Sequence, residues 1–314
     1  MIAVPTEHDA ARILHDALGK QAQSIRRFPT GLAHYVYDVE TDEGEKLVIR
    51  LARPDLKYFF EGALHWYEPL QRKNVPLPEL YFSSLDEFDF PVMIMERLQG
   101  NDLGEVYPHL TTNQKHQIAD QIMSVQRSVA TLPWGKGYGY ARSDDDPALH
   151  PQWINVLESS IQRSQQRFEA TGFTAHHAVN RVKQAINTYR NYFDDVKPIC
   201  FLDDTTTKNV LIDASGHLSG IVDVDAVAFG DPLLNLSLTH MALLSSGYDT
   251  DYTDYWAAQL SLTSDQQQAV NLYTALYCLD FMSELGQSFN KETPIELDQT
   301  KAIRLMNILE SLLS

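Results

Sequence analysis

The stretch from Phe201 to Pro232 constrains the fold and the chemistry of this chain more than any other. Asp204 stands five residues before Asn209, and Asp223 stands fourteen residues after Asn209. Short apolar segments typical of strands, 210–212 and 221–222, flank the last two of these polar residues. Magnesium-dependent phosphoryl transfer needs a carboxylate that orients the acceptor hydroxyl and two oxygen ligands that hold the metal ion. The three residues have the types and the order that this chemistry requires.

Composition and charge predict a soluble globular protein. The 314 residues are 44% hydrophobic, which suffices for one large or two ordinary domains. The first residues lack the pattern of a signal peptide, and no window approaches about 18 continuous apolar residues, so we expect a cytoplasmic protein with no membrane partner. A net charge of −17 argues against a nucleic-acid partner, because a phosphate backbone would be repelled. Cys200 and Cys278 lie in apolar contexts, which predicts buried, reduced thiols.

Hydrophobic periodicity predicts an α+β chain whose first third is rich in strands and whose remainder is mostly helical. The elements predicted for the first third are a capped helix at 6–18, strands at 31–40 and 46–52, a helix at 58–73, and strands at 79–82 and 91–95. The helices predicted after it cover residues 112–131, 151–169, 175–193, 233–245, 252–260, 264–285 and 298–313. We place the boundary near Leu98, which gives an N-lobe at 1–97 and a C-lobe at 98–314.

The 201–232 segment resembles the signature of the aminoglycoside phosphotransferases and choline kinase-like small-molecule kinases, which have a two-lobed protein-kinase-like fold. That signature reads His-x-Asp-x-x-x-x-Asn, a short hairpin, a strand ending in Ile-Asp-x-Glu or similar, and Phe-Gly-Asp-Pro. Its counterparts here are Leu202-Asp203-Asp204 with Asn209, Val222-Asp223-Val224-Asp225, and Phe229-Gly230-Asp231-Pro232. The order of the predicted elements matches the family over nearly the whole chain, although only this segment is specific to it.

The resemblance implies roles for several C-lobe residues. Asp204 would orient and deprotonate the acceptor hydroxyl, while Asn209 and Asp223 would hold Mg²⁺ on the phosphates of ATP or GTP. Asp225 would lie either close to the metal ligands or in solvent, and Asp231 would cap the following helix. Any one of these residues, taken alone, is also explained by a structural role in a turn or strand.

In the N-lobe, the resemblance implies that Arg50 contacts the nucleotide phosphates and forms an ion pair with Glu61, for which Glu68 is a rival. Gly31 lies where the nucleotide loop of the family would pass, and a plain turn is the alternative interpretation.

The segment from Met93 to Leu98 resembles the hinge between the lobes, whose backbone would pair with the purine edge. Met95 and Glu96 are therefore candidate nucleotide contacts. We expect Met93 and Met95 to alternate between the cleft and the core, although core packing explains both methionines equally well.

The acceptor pocket is expected in the C-lobe. Asp280 and Glu284 are four residues apart and so share a helix face, which gives either an anionic lining for an amine-bearing substrate or a solvated acidic face. Trp153, Tyr277 and Trp256 are either walls of this pocket or core residues. The expected activity is transfer of a γ-phosphate to a hydroxyl of a small molecule, with a cationic acceptor as one option.

Two residues depart from the family pattern. Leu202 replaces the histidine, which in the family is mainly a buttress, so we expect Leu202 to substitute by packing. Asp203 adds a carboxylate beside Asp204, which would raise the pKa of one of them or help to bind a cation. Leu202 also motivates an alternative function, a kinase-like module that binds nucleotide without transferring phosphate. A further alternative function is glycosyl transfer, because residues 223–225 match the Asp-x-Asp motif of glycosyltransferases. No run of alternating strands and helices precedes this motif, as such enzymes normally have.

Overall fold

The computed structural model describes residues 4–28, 34–173, 175–287 and 298–314. The N-lobe contains a five-stranded sheet in the order β1-β2-β3-β5-β4, in which all neighbours are antiparallel. Its elements are α1 (Glu7–Leu18), β1 (Ala22–Arg27), β2 (Tyr35–Thr41), β3 (Lys46–Leu51), α2 (Lys57–Arg72), β4 (Leu80–Ser84) and β5 (Val92–Glu96). The sequence did not predict β1, and residues 31–33 of the strand predicted at 31–40 lie outside the described residues.

Local signals determine helix α1. The Thr6 side chain accepts a hydrogen bond from the Asp9 backbone, and the Asp9 carboxylate accepts one from the Thr6 backbone, so the first turn carries a complete capping box. Gly19 ends the helix with a φ of 68°, a conformation that glycine adopts without strain. Ile13 and Leu14 are buried in the same apolar cluster as the β2 and β3 side chains. The amphipathic face of α1 therefore covers one face of the N-lobe sheet.

The C-lobe begins after β5 and is dominated by helices. Its elements are β6 (Asn101–Asp102), α3 (Leu103–Val106), α4 (Thr112–Val129), β7 (Gly139–Ala141), α5 (Trp153–Thr171), α6 (His176–Thr188), α7 (Arg190–Asp194), β8 (Ile199–Phe201), β9 (Val210–Ile212), β10 (Leu218–Ile221), β11 (Val227–Gly230), α8 (Leu233–Ser246), α9 (Asp251–Leu260), α10 (Ser264–Glu284) and α11 (Gln299–Leu312). The helix predicted at 175–193 is divided into α6 and α7 at Tyr189. Helix α10 lies at the centre, because it packs against α5, α6, α8 and α11.

Two small sheets hold the 201–232 segment. In one, β9 pairs with β10 and with β6, so the predicted hairpin forms and joins the chain that leaves the N-lobe. In the other, β11 pairs with β8 and with β7, which comes from a distant part of the sequence. The loop between β8 and β9, residues 202–209, is thereby fixed at both ends by paired strands.

Both cysteines are buried free thiols, as predicted, and burial raises the pKa of each to about 12. Among the described helices, none is both long enough and apolar enough to cross a membrane.

Candidate active site

The loop from Leu202 to Asn209, called here the catalytic loop, carries the predicted base Asp204. Asn209 stabilises the loop, since its Nδ2 donates a hydrogen bond to the Asp204 carbonyl at 3.0 Å. The Thr206 hydroxyl donates to the Asp204 carboxylate at 3.3 Å. The structure thus brings Asp204 and Asn209 together, and it directs the Asp204 side chain to an accessible position.

The Asp204 carboxyl has a pKa raised to about 7. The largest cause is desolvation by the surrounding protein, and the negative charges of Asp203 and Asp223 add to it. Hydrogen bonds from Thr206 and Asn209 oppose the shift. A carboxylate with a pKa near neutrality is well suited to accept a proton from a hydroxyl group.

Leu202 packs in the C-lobe core, as predicted, with 2% of its surface exposed. A side chain on α4 holds its backbone: Gln126 Nε2 donates to the Leu202 carbonyl at 2.7 Å, and Gln126 Oε1 accepts from the Leu202 amide at 3.1 Å. The same Nε2 donates to the Thr205 hydroxyl at 2.8 Å. Gln126 therefore fixes the catalytic loop on the two residues that flank Asp203 and Asp204.

Asp203 does not face the cleft as a cation ligand would; it is buried. Its carboxylate accepts hydrogen bonds from the hydroxyls of Tyr140 and Tyr277, the latter at 2.9 Å, and its carbonyl accepts one from Asn235. Burial raises the Asp203 pKa to about 6, although the two tyrosines lower it. The effect expected on a neighbouring pKa is present, since the Asp203 charge contributes to the shift at Asp204.

Asp223 lies in the segment that connects β10 to β11. Its φ of 61° is left-handed, a conformation that Asp tolerates better than most residues, and half of its side chain, 49%, is exposed. Arg50 of β3 donates from Nη2 to Asp223 at 2.7 Å and to Asp225 at 2.8 Å. Arg50 of the N-lobe and Asp223, the predicted metal ligand of the C-lobe, are therefore in direct contact.

The expected ion pair between Arg50 and Glu61 is not formed in the described part of the chain, and neither is the rival pair with Glu68. Arg50 lies over the Phe60 ring of α2 and directs its guanidinium to Asp223 and Asp225. Glu61 follows Phe60 in the helix, so it is rotated by about 100° from that buried face and is exposed. Glu68 pairs with Arg72 on the surface.

The sequence assigned no role to the side chain of His34, which the structure places beside Asp225. It precedes β2, is buried against the rings of Phe59 and Phe60, and its Nε2 lies 2.6 Å from Asp225 Oδ2. Burial opposes ionisation of Asp225, but the Arg50 charge and the His34 hydrogen bond outweigh it and lower the pKa to about 2. Asp225 thus lies beside the predicted metal ligand Asp223, on the same Arg50 guanidinium, rather than in solvent. Through His34 and Arg50 it connects the N-lobe to the C-lobe.

The hinge candidates occupy the end of β5. Met93 and Met95 are both buried in one cluster with Phe60, because residues two apart in a strand share a face. The expectation that they alternate between cleft and core was therefore wrong. Glu96 accepts a hydrogen bond from the Glu79 backbone through Oε2 at 3.2 Å. Gly31 lies outside the described residues.

The acidic pair on α10 is neither an anionic lining nor a solvated face. Asp280 is mostly buried and pairs with Arg163 at 3.2 Å and Arg167 at 3.1 Å, and Ser164 donates to it at 3.0 Å. Arg167 also pairs with Glu284 at 3.3 Å. The two carboxylates share a helix face as predicted, but α5 places arginines against that face, so their charges are compensated.

The three aromatic candidates for the pocket belong to the core. Trp153, Tyr277 and Trp256 are all buried, and the Trp153 indole donates to the Tyr273 hydroxyl at 2.7 Å. Asp231 has the expected capping role: Oδ1 accepts from the Leu233 amide at 3.1 Å at the start of α8.

The comparison with protein families identifies the chain. A model described as the phosphotransferase enzyme family (APH) matches residues 24–269, well over half of the sequence. The chain belongs to this family. It is therefore a phosphotransferase that acts on small molecules, and the glycosyltransferase alternative for residues 223–225 is set aside.

Solved structures share the fold of this family member. Aminoglycoside phosphotransferase APH(4)-Ia, solved as a thermostable mutant with AMP-PNP and hygromycin B, is similar at a TM-score of 0.69 and 15% identity, covering 96% of this chain and 97% of that chain. Aminoglycoside 2'-phosphotransferase-IIIa, solved with GDP, is similar at a TM-score of 0.68 and 15% identity, covering 98% and 97%. A proposed fructosamine-3-kinase from Thermobifida fusca is similar at a TM-score of 0.65 and 15% identity, covering 97% and 100%. These similarities confirm the two-lobed kinase-like fold, and no match was found among curated proteins.

Proposed function

We propose that this phosphotransferase moves the γ-phosphate of ATP or GTP to a hydroxyl of a small molecule, with Mg²⁺ as cofactor and Asp204 as the catalytic base. The observation that carries this proposal is the position of Asp204. Its carboxylate is accessible, has a pKa of about 7, and lies on a loop whose other end carries Asn209. Ordered positioning and electrostatics account for most of the acceleration in phosphoryl transfer, so a rigid loop is an appropriate support.

The side chains near Arg50 suit a magnesium ion. Asp223 and Asp225 offer carboxylate oxygens, and a guanidinium nitrogen already lies within 2.8 Å of both, so a cation is accommodated there. Because Asn209 Nδ2 donates to the Asp204 carbonyl, Oδ1 is the atom that would bind a metal ion. Hard oxygen ligands are those that Mg²⁺ prefers. When bound, the ion would neutralise charge on the nucleotide phosphates.

Asn209 and Asp223 would thus hold the metal, and Arg50 would contact the phosphates. Arg50 is positioned for this role by the Phe60 ring beneath it and by two carboxylates in front of it. Met95 and Glu96 stay candidates for the purine contact at the hinge, and Gly31 for the phosphate loop. Glu61 is not retained as a site residue, because Arg50 pairs with Asp223 and Asp225 instead of with it.

Replacement of Asp204 tests the proposal. Asp204→Asn removes the proton acceptor with almost no change in shape, so we expect turnover to fall by about 10²–10⁴-fold. Binding of Mg-nucleotide, followed as thermal stabilisation, should stay within about two-fold, because Asp223 and Asn209 are intact. Asp16→Asn, an exposed aspartate on α1, serves as the charge-matched control. Retained turnover in Asp204→Asn would refute the assignment of the base.

The alternative of a nucleotide-binding module without transfer makes a different forecast. It predicts that wild-type protein is stabilised by Mg-nucleotide and consumes none of it with any acceptor. The hold of Gln126 on Leu202 favours transfer, because it keeps the loop ordered without the family's histidine. A protein that neither binds Mg-nucleotide nor consumes it would refute both functions.

A further inference from the structure

Tyr140 has an unusual orientation beside the catalytic loop. A tyrosine at a protein surface normally buries its ring and leaves its hydroxyl in water. In β7 the opposite holds: the Tyr140 hydroxyl is hydrogen-bonded to the buried Asp203 carboxylate, while the residue as a whole is 55% exposed. Burial of the hydroxyl, together with the charges of Asp203 and Asp204, raises the pKa of Tyr140 well above its usual value. An apolar ring is thus presented to solvent next to the proposed base.

The ring is held in a fixed position. Asp203 receives the Tyr140 hydroxyl on Oδ2 and the Tyr277 hydroxyl on Oδ1 at 2.9 Å, and Asn235 holds its carbonyl. The backbone of Tyr140 is paired with Ala228 of β11. A side chain that is fixed at both ends loses little conformational freedom when a ligand covers it, which favours binding.

The acidic pair on α10 does not favour recognition of amines. Asp280 lies three residues beyond Tyr277 on α10, and its carboxylate is paired with Arg163 and Arg167. Because these arginines compensate Asp280 and Glu284, this wall is poorly suited to attract an amine. The exposed aromatic face of Tyr140 is a surface on this side of the loop that a ligand ring could cover.

We propose that the exposed ring of Tyr140 is a wall of the acceptor site, and that the acceptor carries a ring with an apolar face, such as a sugar or an aromatic ring. This inference rests on the proposed function and refines it. The acceptor ring stacks on Tyr140, which places a ring hydroxyl near Asp204. Asp203, the residue by which this chain departs from its family, acts as a positioning residue that anchors the wall.

Binding to a panel of hydroxyl compounds tests the proposal. The ring compounds are hygromycin B, glucose, uridine and benzyl alcohol; the acyclic compounds are glycerol, choline, ethanolamine and serine. Saturation-transfer NMR in the presence of Mg-ADP should detect at least one ring compound on the wild type. In Tyr140→Ala its affinity, and its KM in transfer, should weaken about ten- to a hundred-fold, as is typical for loss of an aromatic stacking partner. Nucleotide affinity should stay within about two-fold, which a general folding defect would not allow.

Two further variants complete the test. Tyr140→Phe keeps the ring but releases its anchor, so it should weaken acceptor binding by only several-fold, and Asp203→Asn should behave in the same way. Tyr81→Ala, an exposed tyrosine in β4, is the matched control and should leave acceptor binding unchanged.

The proposal is overturned if no ring compound binds, if Tyr140→Ala binds the ring compound as well as the wild type does, or if an acyclic alcohol is the best substrate. If the wild type binds and consumes Mg-nucleotide normally in any of these cases, only the inference on Tyr140 fails. If Mg-nucleotide does not bind at all, the proposed function fails with it.

Discussion

Replacement of Gln126 isolates the effect of holding the catalytic loop. Gln126→Leu keeps the approximate volume of the side chain, so it opens little space in the core. It removes the hydrogen bonds at 2.7 Å and 3.1 Å to the Leu202 carbonyl and amide, and the one at 2.8 Å to the Thr205 hydroxyl. The carbonyl still accepts from the Thr205 hydroxyl at 3.3 Å, whereas the buried Leu202 amide loses its partner.

These contacts set the expected magnitude. A buried donor without a partner costs about 1–3 kcal/mol, and weakening the other two bonds raises the total to about 2–4 kcal/mol. For a protein of this size, that corresponds to a fall in Tm on the order of 3–6 °C. If the loop shifts instead to regain a partner for its amide, Asp204 moves as well. A displacement on the order of 1 Å at a catalytic group lowers kcat by up to about a hundred-fold.

The assay combines thermal unfolding with Mg-nucleotide turnover, using water as the acceptor where none has been identified. We expect kcat to fall about 10–100-fold in Gln126→Leu while nucleotide KM stays within about two-fold, because Arg50 and Asp223 are untouched. Gln121→Leu is a matched control on the same helix, since Gln121 accepts a hydrogen bond from the Leu218 amide and not from the catalytic loop. Wild-type kcat in Gln126→Leu would show that the loop keeps its position without this side chain.

Two other predictions follow from the site. The pKa of Asp204 is raised to about 7, and a base must be ionised to accept a proton, so kcat/KM should rise about ten-fold per pH unit up to about pH 7 and then level off. A kcat/KM that stays flat between about pH 5 and pH 8 would contradict the proposed role of this carboxyl. Gly62→Ala in α2 would place a Cβ atom 2.4 Å from the Asp225 carbonyl oxygen. Gly→Ala in a helix normally stabilises by about 1 kcal/mol, but here the clash should displace Asp225 from Arg50 and weaken Mg-nucleotide binding about ten-fold. A wild-type affinity for Mg-nucleotide, measured by titration calorimetry, would refute this.

The elements that the sequence predicted are those determined by neighbouring residues. Helix α1 has its cap, its stop and its apolar face within fourteen residues, from Thr6 to Gly19, and the structure places it within a residue of the prediction. Strands β1 and β7 were missed for a physical reason. The first is an edge strand with charged residues, and the second has three residues and pairs with β11, which lies far away in the sequence. Pairing with a partner strand, which is the neighbouring β2 for β1 and the distant β11 for β7, determines both strands more than local preference does.

The site shows the same division between local and long-range information. The sequence points to three candidate site residues because phosphoryl transfer requires these residue types in this order along the chain: Asp204, Asn209 and Asp223. The partner of Arg50 depends on which face of α2 turns inward, and a rotation of about 100° per residue separates Phe60 from Glu61. Likewise, the spacing of four residues correctly predicted that Asp280 and Glu284 share one helix face. The arginines that pair with them, Arg163 and Arg167, come from α5, and only the packing of α5 on α10 brings them there.

The residues that we propose as the wall of the acceptor site are the ones that sequence spacing reveals least. Tyr140 lies sixty-three residues before Asp203 in the sequence, and only the fold brings its hydroxyl to that buried carboxylate. The departure at Leu202 and Asp203 then has one explanation for both residues. Leu202 packs an apolar side chain into the core while Gln126 holds its backbone, and Asp203 fixes an exposed ring beside the proposed base. On this interpretation the altered pair keeps the geometry of the catalytic loop and changes what the enzyme accepts.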